Sequence, residues 1–203
     1  MTKQTLFLLA MIAHLSLMSQ EADLNSFQIT NGVLRGTGHT DSLGTEFNLR
    51  EIPITFRNDS TLPLQVELEF SSGYSYSENH GEGTYRVVPL PEEWGLEQTS
   101  DSLFDLLYQR LPGHINNPFL QRTIQPGEEL TIAITTVYPL PAEEWWIVPD
   151  ELFAFTDKLT HTSCEWLHNE KSTSLTAIRL GMKVRYDGGC TVIPCGRLFF
   201  SNP

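Results

Sequence analysis

Between Ile52 and Phe70 the chain alternates. Ile52, Ile54 and Phe56 are interleaved with Pro53, Thr55 and Arg57, and Leu64, Val66, Leu68 and Phe70 with Gln65, Glu67 and Glu69. Successive side chains on a strand point to opposite faces. A period of two therefore specifies two strands, each with one buried and one wet face. The stretch between them, Asn58-Asp59-Ser60-Thr61-Leu62-Pro63, is dense in turn formers. The segment is expected to fold as a β-hairpin with a long loop, onto which later strands are laid.

Similar signals recur along the chain. Phe27, Ile29, Val33 and Leu34, with Asn31-Gly32 as a turn, predict a first strand or small hairpin over Phe27–Thr37. Gly36–Gly44 reads as a loop. Ser71–Gly83 reads as a flexible connection, whose Tyr74, Tyr76 and His80 either touch a partner or ride on a solvated linker. Thr84–Val88 is a short strand ended by Pro89. Leu103, Phe104, Leu107 and Leu111 share a helical face, with Ser100 and Asp101 to cap it and Pro112-Gly113 to stop it. Gln125-Pro126-Gly127-Glu128 is a turn, followed by a strand through Leu130, Ile132 and Ile134 to Tyr138. A second helix is expected over Asp150–Leu159. Ala177–Tyr186 alternates again, and Asp187-Gly188-Gly189 turns it into a last strand, Thr191–Phe200.

Strands separated by turn clusters, with two helices, point to an antiparallel β-sandwich rather than a βαβ sheet. The architecture resembles the generic two-layer plan of exported immunoglobulin-like domains, with one or two short helices in long connections. At 203 residues one sizeable domain is expected over 21–203. It is preceded by a leader over 1–20. Lys3 is followed by an apolar run from Leu6 to Met18, interrupted by His14 and Ser16 and too short to span a bilayer. The expected location is exported: secreted, periplasmic or cell-surface, with no membrane span once the leader is cleaved. Thirteen basic residues against 25 acidic ones give a net charge of −12. Such a surface repels phosphate backbones, so nucleic acid is not an expected partner.

One internal echo stands out. Pro89-Leu90-Pro91-Glu92-Glu93-Trp94 recurs as Pro139-Leu140-Pro141-Ala142-Glu143-Glu144-Trp145, and Asp101-Ser102-Leu103-Phe104 is matched by Asp150-Glu151-Leu152-Phe153. Two readings stand. One is a duplicated unit of strand, proline exit, acidic-aromatic loop and helix, over about 84–129 and 130–175. The other is one loop device used twice, in which proline ends a strand and the tryptophan folds back over the core.

Trp94 and Trp145, with Trp146 and with Glu93 and Glu144 beside them, are the candidate ligand-binding residues. Aromatic faces stack on sugar rings or clamp an extended peptide, and carboxylates accept hydrogen bonds from hydroxyls or amines. A glycan or an extended peptide is the expected partner. Used as acid and base, the same Glu pairs would give a glycoside hydrolase, the alternative function. His161, Cys164 and His168, spaced H-x2-C-x3-H, form the alternative metal site, a zinc site that would make the protein a zinc-dependent enzyme. Otherwise no cofactor, metal or catalytic residue is expected, because no phosphate loop, nucleophile elbow, H-E-x-x-H or EF-hand is present. A purely structural module is a third reading.

Three cysteines allow one internal bridge. Cys190–Cys195, closing a tight loop, is the first assignment, and Cys164 joined to either of them the other. Asn58-Asp59-Ser60 fits the glycosylation sequon.

Overall fold

The computed structural model describes residues 26–40, 46–78, 81–91, 113–139, 147–155, 163–166, 177–186 and 189–200. The expected leader, the helix over 103–111 and the turn at 187–188 lie outside these residues. The strands are β1 (Phe27–Asn31), β2 (Arg35–Thr40), β3 (Glu46–Asn58), β4 (Leu64–Glu69), β5 (Tyr74–Glu78), β6 (Gly81–Pro91), β7 (Phe119–Ile124), β8 (Glu129–Pro139), β9 (Val148–Phe155), β10 (Glu165–Trp166), β11 (Ile178–Tyr186) and β12 (Gly189–Phe200). A single helical turn covers 113–116.

Two sheets face one another. The first runs β1-β3-β8-β6-β5, with β2 also on β3; the second runs β7-β4-β12-β11-β9, with β10 on β12. Apart from the short β10–β12 contact, all pairings are antiparallel. This is the expected antiparallel β-sandwich. In immunoglobulin domains the third strand is flanked by the sixth, then the seventh. Here β4 is followed by β12, β11 and β9, so the last three long strands return toward β4 in reverse. The likeness to that family is therefore one of architecture.

Alternation predicts the facing correctly. Ile52, Ile54 and Phe56 from β3 meet Leu64, Val66 and Leu68 from β4, and Leu180, Met182 and Val184 from β11, in one buried core. Burying each such side chain contributes about 2 kcal/mol. The expected hairpin, however, does not form. β3 and β4 lie in opposite sheets, joined by an arch over Asp59–Pro63. Alternation fixes which way side chains point, not which strand is the neighbour. The arch is held by Asn58, which is fully buried. Its Nδ2 donates to Leu62 O at 2.8 Å and Ile124 O at 2.9 Å. Its Oδ1 accepts from the Ser60 N–H at 3.0 Å and the Ser60 hydroxyl at 2.7 Å.

Asn31-Gly32 does not turn a hairpin either. β1 and β2 both pair with β3, end to end. Three residues, Gly32 to Leu34, bulge opposite Ile52 and Pro53. The Pro53 carbonyl accepts from Gly32 N at 2.8 Å, so its nitrogen also faces this edge and has no hydrogen to offer. The edge strand breaks there and Val33 protrudes, 76% exposed. Part of the expected Gly36–Gly44 loop is thus β2.

The expected connection Ser71–Gly83 carries a hairpin, β5 on the first half of β6. β6 also runs through Pro89 to Pro91 instead of ending. Beyond Tyr85 its described neighbour is β8 alone, and prolines are tolerated on such an edge. The described half of the expected helix over Asp150–Leu159 is strand β9. Leu152, Phe153 and Phe155 suit either period over so short a run, and pairing with β11 decides it. β7, unforeseen in the sequence, is an edge strand whose Arg122 shares the parity of Leu120 and Ile124 yet stays exposed, donating to Gln121 O at 2.9 Å. A charged side chain on an edge strand discourages foreign pairing.

β12 changes face midway. Its register on β11 skips Cys195, and Gly196 takes φ +150° against the Glu67 backbone, where a side chain would collide. This bulge lets Ile193 and Leu198, at odd separation, both enter the core.

Candidate functional site

The described residues test the expected sites unevenly. Trp94, Trp145, Trp146, Glu93, Glu144, His161 and His168 lie outside them. Their points of departure do not. β6 and β8 are antiparallel neighbours, with Pro91 opposite Ile132 and Arg86 opposite Val137. Pro91 and Pro139 therefore leave the first sheet at opposite ends, and the strands do not bring the two tips together.

The cysteine assignments resolve. Cys164 is bonded to Cys190, with Cα atoms 4.8 Å apart, and Cys195 is free and buried. The Cys190–Cys195 bridge is excluded because both lie on β12, about 16 Å apart along an extended strand and on opposite faces. Parallel pairing of Glu165 with Thr191 places Cys164 beside Cys190. The H-x2-C-x3-H metal site loses its sulfur, since a disulfide cysteine offers no thiolate. Among the described residues no three metal-ligating side chains cluster, and no helix is long and apolar enough to cross a membrane. Asn58, the sequon asparagine, spends both amide hydrogens inside the fold. A glycan on that nitrogen is incompatible with this arch.

The disulfide pins β10 so that Trp166 lies over the outer face of the second sheet. There it meets Phe155 at 5.2 Å and Phe153 at 6.2 Å between ring centroids, both edge to face. Gly181 makes the space. A Cβ there would sit 3.2 Å from Phe153 and 3.3 Å from Phe155. Beside the rings a single row crosses five strands: Phe155, Arg179, Arg197, Glu67 and Gln121. The Arg179 guanidinium lies 4.8 Å from the Phe155 ring centre. Arg197 Nε donates to Glu67 Oε2 at 2.6 Å, and Gln121 Nε2 donates to Oε1 at 3.0 Å. Two guanidiniums directly opposite repel one another, and the ring and the carboxylate offset that cost. Lower on the face a bulge in β9 re-aims Asp150, which contacts Lys183 Nζ at 2.9 Å and Arg185 Nε at 2.7 Å. The Arg185 contact is an ion pair whose N–H is not aimed at the oxygen. The face thus sets a packed cluster of rings beside two guanidinium forks, donors able to bind carboxylate or carbonyl oxygens.

The alternation over Ala177–Tyr186 sets Arg179, Lys183 and Arg185 on the face opposite Ile178, Leu180, Met182 and Val184. Sequence reasoning missed Phe153 and Phe155 because that run was read at helical period. The alternation of Glu151, Phe153 and Phe155 against Leu152 was the signal that could have found them.

The outer face of the first sheet is also unusual. Leu49, Val88, Leu90, Ala133 and Val137 form a second buried cluster, with Phe47 and Ile115 against it. Glu51, 2% exposed, and Thr135, 1% exposed, are cross-strand neighbours on that same face. Thr135 Oγ1 has no hydrogen-bond partner. His114, beside Ile115, has its pKa lowered by burial.

Inside the sandwich Tyr74 and Tyr85 pack with ring centroids 5.5 Å apart, near Cys195. Burial pushes the Tyr85 phenol up, helped by neighbouring Tyr74 and Tyr186. Burial likewise raises Cys195, partly offset by a backbone hydrogen bond from Met182. Held as a thiol, Cys195 is not a nucleophile.

These features define the class: an antiparallel β-sandwich with one disulfide and an aromatic-arginine row on one outer face. No protein-family model matches the chain, and no curated protein matches it. Among solved structures it is similar to an uncharacterized β-sandwich protein from Clostridium difficile 630, at 11% identity and a TM-score of 0.27, over 86% of this chain and 89% of that one.

Proposed function

We propose that the protein is exported and acts by binding, not by catalysis, and that an extended ligand, a glycan or a peptide, lies on the outer face of the second sheet. The row from Phe155 to Gln121, with Trp166 held over it by the disulfide, carries this reading. A solvated sheet face has no need of three packed rings and two opposed arginines. The disulfide is compatible with an oxidising compartment. Trp94, Glu93, Trp145 and Glu144, which lie outside the described residues, stay in the proposal as the alternative ligand-binding set.

The test is a glycan and extended-peptide array probed with the wild type, Trp166→Ala, Arg179→Gln and the double Trp94→Ala/Trp145→Ala variant. Aromatic and arginine contacts dominate such surfaces, so each face variant is expected to lose about tenfold in affinity with the fold intact. An unchanged pattern for both face variants overturns the assignment. Loss confined to the tip variant would move the site to the tips.

A further inference from the structure

We infer that Asn31 is a conformationally gated deamidation site whose conversion unlatches β1 from the edge of β9. Asn31-Gly32 is the one Asn-Gly step in the chain. Glycine leaves the following backbone nitrogen sterically open to the asparagine side chain. In the reaction Gly32 N, having given its proton to water or hydroxide, attacks Asn31 Cγ. The N–Cγ bond forms, the Cγ–Nδ2 bond breaks, and the amide nitrogen takes up a proton and leaves as ammonia. Water then adds to one carbonyl of the five-membered imide and reopens it as aspartate or isoaspartate. Nothing is oxidised or reduced.

The native fold restrains both reactants. Gly32 N–H donates to Pro53 O at 2.8 Å. The carboxamide is turned toward the other sheet, where Oδ1 accepts from Leu152 N at 2.8 Å and Nδ2 donates to Leu152 O at 3.1 Å. One side chain thus occupies both backbone groups that Leu152 presents at the free edge of β9, as a neighbouring strand would. The restraint is also local. Gly32, Val33 and Leu34 are exposed, and Pro53 offers them no N–H, so this bulge can open without the core. Once Asn31 is aspartate, the donor to Leu152 O is gone and a carboxylate oxygen faces that carbonyl. Isoaspartate would in addition lengthen the backbone by one carbon and break the register of β1 on β3.

The experiment ages the purified full chain at mildly alkaline pH and follows Asn31 by peptide mapping, with ammonia release as a second readout. It is run in buffer, in sub-denaturing urea and in fully denaturing urea. Conversion is expected to be at least about tenfold slower in buffer than in the unfolded chain, the factor set by an opening cost of about 1.4 kcal/mol. It should accelerate in urea below the global transition. Equal rates folded and unfolded overturn the gate, and acceleration only at the global transition overturns its local character. Hydrogen exchange on Asn31→Asp is expected to show faster exchange at the Leu152 amide than in the wild type. Unchanged exchange there overturns the latch.

Discussion

Asn58 shows how far one side chain can settle a path. A run of turn formers between two alternating segments allows a hairpin or an arch, and the backbone signal is the same for both. What differs is whether the end of the first strand finds partners in the other layer. Asn58 finds them in Leu62 O and Ile124 O, while the Ser60 amide and hydroxyl saturate its carbonyl oxygen. Asn58→Ala would take from Ile124 O its Asn58 donor and from the Ser60 amide its acceptor, each costing about 1–3 kcal/mol, while Leu62 O keeps the Ser60 hydroxyl. A loss of about 3 kcal/mol in urea unfolding is expected, with the m-value unchanged. Asn58 was visible in the sequence only as a turn former and a sequon, because a hydrogen-bond partner sixty-six residues away leaves no local mark.

At the scale of elements, the disulfide turns a two-residue strand into a fixed support. β10 has two backbone pairs to β12, too few to persist unaided. The Cys164–Cys190 bond, at a sequence separation of 26, removes about 3.5 kcal/mol of loop entropy from the unfolded chain. The double variant Cys164→Ser/Cys190→Ser is expected to lose about 3 kcal/mol in urea unfolding. Its tryptophan emission should shift to the red as Trp166 leaves Phe155. What was legible at this scale follows a rule. β8 and β11 were found with nearly correct bounds because each alternates cleanly beside a turn signal, and β12 because the Asp187-Gly188-Gly189 turn marks its start. β9 was mistaken for a helix because Leu152, Phe153 and Phe155 satisfy both periods. β7 went unseen because Gln121, Arg122 and Thr123 interrupt its apolar pattern, as suits an edge. Strand existence was readable from local alternation, whereas pairing was not, since it depends on long-range partners. The aromatic-arginine row inherits that limit, because it exists only once five strands are in register.

For the whole molecule, the interior chemistry sets a pH limit. Tyr74, Tyr85 and Cys195 all titrate higher folded than their ordinary values of 10.0 for tyrosine and 9.0 for the thiol, burial being the main cause in each case. The unfolded chain therefore loses these protons first, and binds fewer than the native state above about pH 9. Stability conferred by these groups is complete below that point and falls as pH rises through it. Denaturation midpoints measured from pH 7 to 11 should decline progressively above about pH 9, and Tyr85→Phe should make the decline shallower. A flat profile would mean that these groups are not buried as described.

β12 is the last strand in sequence, yet it lies between β4 and β11 near the middle of its sheet. Until it arrives, β4 and β11 have no common neighbour, and the contact of Glu67 with Arg197 must close across 130 residues. During synthesis, then, the second sheet exists only as two separate strand pairs until β12 has been made. The pairs β4–β7 and β9–β11 can form early, but they join into one layer only when β12 is inserted between them.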